Sequence, residues 1–91
     1  MNQQRRKTID EIVTNISSVL ASVEPLIEST EGVAEEEREA WENLSENLQH
    51  TSRGEDMDAA ADALENAHTS LDEALENIRE AQENLEEAGG F

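Results

Sequence analysis

Apolar residues recur along this chain at helical spacing, and no stretch alternates as a strand would. From Ile9 through Ile12, Val13, Ile16, Val19, Leu20, Val23 and Leu26 to Ile27 they repeat as three consecutive heptads with apolar residues at a, d and e, a wide stripe that needs a core or a partner. Thr8 is placed to cap this helix, with Asp10 and Glu11 in its first turn, and Pro25 falls off the stripe where it would kink the helix or start a new turn. The stretch 28–33, with Gly32, reads as the first break.

A second segment places Ala34, Trp41, Leu44 and Leu48 on one face, with Glu37 at the stripe position between them. Residues 49–54 then lose the periodicity and gain turn formers, so a loop is expected there, with Ser52 or Gly54 leading into a third helix antiparallel to the second. In that third segment Met57, Ala61, Leu64, His68, Leu71, Leu75, Ile78, Gln82 and Leu85 alternate spacings of four and three, the seam of a coiled coil. Ala60, Ala67, Ala74 and Ala81 recur every seven residues beside it, and Gly89-Gly90 ends the helix.

The pattern predicts an all-α fold: an antiparallel helical hairpin or three-helix bundle with a long C-terminal coiled-coil-like helix. One helical domain spans 1–91, with helices over about 8–28, 34–49 and 55–88 and a short basic tail over 1–7. Its expected core and self-association residues are Ile9, Ile16, Val23, Trp41, Leu44, Leu64, Leu71, Leu75, Ile78 and Leu85. With 91 residues and 2% aromatics any such core is thin, which makes a homodimer through the long helices the expected assembly.

Charge changes the picture most. The chain has 23 acidic and 6 basic residues, a formal net charge of -17, and three of the basic residues are Arg5, Arg6 and Lys7. Composition this acidic is typical of disorder, but the apolar spacing is too regular for a disordered chain. The charge argues against direct binding to nucleic acid or to an anionic membrane and favours a basic protein surface. No run approaches the roughly 18 apolar residues of a membrane span, and the basic start leads into polar-spaced helix instead of an apolar signal core, so a cytoplasmic location is expected.

Candidate chemistry is sparse. With no cysteine, thiol catalysis and thiolate metal sites are excluded. No phosphate-binding Gly-rich loop, nucleophile elbow, HExxH or EF-hand spacing occurs, so neither an enzyme nor a cofactor is expected. The one metal-capable constellation is Glu65-x-x-His68, which puts both side chains on one helical face with Glu37 available from another helix; the plainer reading makes His68 a polar seam residue that fixes register.

The run 35–49, Glu-Glu-Glu-Arg-Glu-Ala-Trp-Glu-Asn-Leu-Ser-Glu-Asn-Leu-Gln, followed by Ser52-Arg53-Gly54-Glu55-Asp56-Met57 and the Ala/Leu/Glu helix, resembles a group of small acidic proteins found in phages and mobile elements, over about residues 35–88. The aromatic-acid-Asn-Leu stretch and the Arg-Gly turn carry most of the resemblance, which implies an origin more than an activity.

Beside that origin stands a physical observation. The third helix would carry 12 carboxylates over about 50 Å, one per roughly 4 Å, and one DNA strand carries a phosphate about every 3.4 Å. The expectation is a DNA-mimic inhibitor of a host nucleic-acid-binding or defence protein, a restriction or CRISPR-type effector. Its contacts would be Asp72, Glu73, Glu76, Glu80, Glu83, Glu86 and Glu87, and its place the host cytoplasm. The alternative is a structural coiled-coil oligomerisation or adapter protein that binds through its apolar stripes and inhibits nothing.

Overall fold

A computed structural model describes residues 2–90; Met1, the first residue of the expected basic tail, and Phe91 lie outside them. Three helices follow one another, α1 (Gln3–Glu42), α2 (Glu46–Gln49) and α3 (Ser52–Gly89), with no strand among the described residues. The fold is all-α, a helical hairpin whose two long arms are joined by one short helical turn. By its contacts the chain forms two compact units, Met1–Pro25 with Asp72–Phe91 and Leu26–Leu71.

The break expected at 28–33 is absent, and so is the non-helical basic tail: α1 runs from Gln3 to Glu42 with Pro25 inside it. The reason is a seam that continues where the apolar pattern fades. Spacings of four and three run without a slip from Ile9, Val13, Ile16, Leu20, Val23 and Ile27 through Thr30, Ala34, Glu37 and Trp41, every one of them buried or half-buried. None of the last four is a large aliphatic, so periodicity of apolar residues alone loses the helix just where packing keeps it. The Thr30 hydroxyl donates to the Leu26 carbonyl at 2.7 Å, inside the helix instead of ending it. Gly32 costs such a helix about 1 kcal/mol relative to alanine, which tertiary contacts outweigh.

Nor is Thr8 the cap. Asn2 takes that role, its Oδ1 accepting from the Arg5 amide at 2.8 Å, while the Thr8 hydroxyl donates back to the Gln4 carbonyl.

The expected second helix over 34–49 is two pieces. Residues up to Glu42 belong to α1, and a fresh turn of helix starts after Ser45, whose extended backbone (φ -61°, ψ 154°) and side-chain acceptor for the Leu48 amide make it an N-cap. Ser45 outweighs the periodicity of Trp41, Leu44 and Leu48 because it satisfies a backbone donor that a continued helix would not expose. Consequently it is the C-terminal part of α1, and not a separate second helix, that lies antiparallel to α3.

The loop expected over 49–54 is also shorter. Thr51 Oγ1 accepts from the Gly54 amide at 3.2 Å and donates to the Leu48 carbonyl at 2.6 Å, so α3 opens at Ser52 and Arg53-Gly54 sits in its first turn. Gly54 is buried, and a Cβ there would overlap the carbonyl oxygens of Leu48 and Gln49. At the far end Gly90 takes φ +75° and its amide donates to the Glu87 carbonyl, the expected glycine stop.

Along α3 the seam from Met57 to Leu85 is buried or half-buried at every position. In the unit Leu26–Leu71, Ile27, Ala34 and Ala61 are its deepest apolar side chains; in the other unit it is Leu75. Gln82 also belongs to the seam of that unit: its Nε2 donates to the Val13 carbonyl at 3.2 Å and to Ser17 Oγ at 2.8 Å, which satisfies a polar group at the interface.

Candidate acidic interface

Residues one step beyond the seam decide what each side of the hairpin presents. In an antiparallel helix pair, positions just after the seam on both helices meet along one side, and positions just before it along the other. The first side is charged. In the unit Leu26–Leu71, Arg38 follows seam residue Glu37 and reaches three carboxylates of α3: Nε to Glu65 at 2.8 Å, Nη1 to Asp58 at 2.6 Å and Nη2 to Asp62 at 2.6 Å. The guanidinium sits 5.2 Å from the Trp41 ring centroid. Glu65 first, then Asp58 and Asp62, hold Arg38 still further above its ordinary range.

In the unit Met1–Pro25 with Asp72–Phe91, Arg79 follows seam residue Ile78 and does the same work, bridging Glu24 at 2.6 Å and Glu76 at 2.9 Å, with its ionisation raised by Glu24 and then Glu76. Arg38 is therefore engaged in holding α1 to α3, and Arg79 divides between Glu24 of α1 and Glu76 of its own helix.

That outward charge is ordered. At about 100° per residue, Asp72, Glu73, Glu76, Glu80, Glu83, Glu86 and Glu87 fall within a sector of roughly 140° on α3, turned away from its seam. All seven lie in one unit, six of them exposed and Glu86 half-buried. They span about 22 Å of helix axis, one carboxylate per roughly 3 Å, close to the spacing of phosphates along a DNA strand. Glu76 is held by Arg79, and Asp72 has interactions of its own within the structure.

The possible metal set does not assemble. Glu65 is hydrogen-bonded to Arg38, His68 Nε2 stands 3.7 Å from Glu31 Oε2, and Glu37 occupies the α1 seam. Among the described residues no three His, Asp or Glu side chains are grouped as a metal ion requires. An open groove of about 680 Å³ does lie here, lined by Glu31, Glu35, Glu39, Glu42 and Glu65 with Arg38 and His68. Its one guanidinium is already saturated, so the groove is acidic in character.

The expected core residues are all buried or half-buried, with Leu44 in the turn between α1 and α2 rather than on a helix face. What sequence reasoning missed is the flank chemistry. Once the seam is known, Glu24, Arg38, Asp58, Glu65 and Arg79 are each the residue after a seam position, a signal that depends on α1 being one continuous helix.

The opposite side, one step before the seam, carries no charge in the unit Met1–Pro25 with Asp72–Phe91, and in the unit Leu26–Leu71 it is charged at Glu36 and Asp56, near the turn. In the unit Leu26–Leu71 it presents Leu26 and Val33 of α1 with Ala60 and Ala67 of α3; in the other unit it presents Ile12 and Val19 with Ala74, Ala81 and Ala88, all of them exposed. No helix among the described residues is long and apolar enough to cross a membrane. No protein-family model, curated protein or solved structure matches this chain.

Proposed function

We propose that this protein is an acidic helical binding module that occupies the basic surface of a nucleic-acid-binding protein, acting by steric and electrostatic occupancy without catalysis. The supporting observation is the single-sided array of seven carboxylates on α3, at near-phosphate spacing, with Arg79 of the same stretch paired to Glu24 and Glu76. A basic groove that evolved to take a phosphate backbone meets similar charge spacing here, on a rigid support that gives up little conformational freedom on binding. Such a role fits an inhibitor of a host nucleic-acid enzyme or defence effector working in the host cytoplasm, as the resemblance to phage and mobile-element proteins suggests.

The test is capture of proteins from a lysate on immobilised protein, with and without excess duplex DNA, beside a variant carrying Glu73→Lys, Glu80→Lys, Glu83→Lys and Glu87→Lys. The reading expects partners that duplex DNA displaces and that the variant fails to hold while its circular dichroism stays helical. Partners indifferent to both DNA and charge reversal contradict it.

A second reading, a coiled-coil oligomerisation or adapter protein, is favoured by the side before the seam, where Ile12, Val19, Leu26 and Val33 are 40%, 47%, 59% and 50% exposed.

A further inference from the structure

The seven-residue rhythm of exposed aliphatics on α1 has no counterpart elsewhere on the surface. Ile12, Val19, Leu26 and Val33 each precede a seam residue, and in each unit the alanines of α3 precede seam residues on the same side. The next positions outward are neutral as well: Asn15, Ser22, Asn77 and Asn84 in one unit, Ser29, Ala63 and Ser70 in the other. Of the chain's 23 carboxylates, Glu36 and Asp56, near the turn in the unit Leu26–Leu71, are the two that fall on positions of this kind among the described residues, and none does in the other unit. A side that merely faced water would have no reason to carry so few Glu and Asp while exposing branched aliphatics.

We infer that this side, in each unit, is where a second copy of the chain docks, making a four-helix assembly from two hairpins. Three observations select a second copy over another occupant. Charge is the first: two chains of net charge -17 repel one another, and an approach through the side before the seam brings few carboxylates face to face, Glu36 and Asp56 near the turn being its charged positions. A basic partner would gain nothing there. Shape is the second. The side is half large (Ile, Val, Leu on α1) and half small (Ala on α3), so a two-fold operation that lays α1 of one copy over α3 of the other puts aliphatic knobs into alanine holes. The third is area: the chain exposes 6463 Å², where a folded monomer of 10.1 kDa exposes about 5,300 Å², and a standard interface covers about 800 Å² per partner. The excess is of the size that one such interface removes.

This self-association surface and the acidic face of α3 are different sides of the molecule, so salt separates them. Screening relieves repulsion between two acidic chains and strengthens their association, whereas it weakens an acidic face's hold on a basic partner. The experiment is sedimentation equilibrium of the full chain at about 50 mM and about 500 mM salt, beside Val19→Glu, Leu26→Glu and Ala67→Glu, with helicity followed by circular dichroism. The expected result is a two-chain mass that becomes firmer at high salt, a one-chain mass for each Glu variant with helicity kept, and a two-chain mass for Glu80→Lys with Glu83→Lys on the acidic face. Because the three substituted positions are exposed and lie on both helices, loss of folding in one leaves the others to decide. A one-chain mass for the unaltered protein at both salts, a trimer or larger, or a dimer indifferent to all three Glu substitutions overturns the inference.

Discussion

Single residues carry more of this fold than its thin core suggests. Gly54 is required by close approach: its Cα hydrogen faces the carbonyls that end α2, and Gly54→Ala must push α3 away from Leu48 and Gln49. A loss of about 1–3 kcal/mol, the range for overpacking, is expected in urea unfolding. Gly32 is the reverse case. It lies inside α1 without a positive φ, and nothing stands within 4 Å of where its Cβ would be, so Gly32→Ala should raise stability by about 0.5–1 kcal/mol in the same measurement. A decrease would mean that the residue serves as the break its sequence suggests. Arg38 is the third. Arg38→Met keeps the aliphatic stem over Trp41 but leaves Asp58, Asp62 and Glu65 without the cation they share, so thermal unfolding should come earlier, by a margin that narrows as salt screens the three carboxylates.

At the scale of elements, α3 was legible and α1 was legible over about 8–28 but not beyond, for a physical reason. The seam of α3 is written in Met, Leu, Ile and Ala at most of its positions, so a four-three rhythm is visible without knowing the partner helix. In α1 the same rhythm passes through Thr30, Ala34 and Glu37, where neighbours on α3 and the bonds of the backbone maintain the helix and apolar character does not. Gly32 and Pro25 are strong breakers by local propensity, yet propensity of order 1–3 kcal/mol yields to packing along a helix of 40 residues. The short α2 turned on a cap: Ser45 is a better predictor of its start than the spacing of Leu44 and Leu48. Ser45→Ala should therefore loosen the connection between the long helices, costing about 1 kcal/mol without changing the helicity of α1 or α3.

The candidate site was legible to a similar degree. The seven carboxylates Asp72 to Glu87 could be chosen from the sequence because a helix fixes their angular positions once its seam is known. The neutralising role of Arg79 could not, since it depends on Glu24, 55 residues away along the chain. The same long-range pairing hid Arg38 and its carboxylates.

For the whole molecule the dominant quantity is the net charge of -17, which opposes compaction and sets the sign of every salt effect. Added salt should stabilise the folded chain and any self-association while loosening a hold on a basic protein, and opposite responses from one protein are the signature of a molecule with one acidic face and one nearly neutral one. The most direct measurement of the central claim is capture from a lysate followed by elution in a rising salt gradient, with the released proteins identified by mass spectrometry. Occupancy of a nucleic-acid-binding surface predicts that basic, nucleic-acid-binding proteins leave in the middle of the gradient. Retention of nothing basic, or of partners that survive high salt, would contradict it and make the carboxylates of α3 a solvated surface.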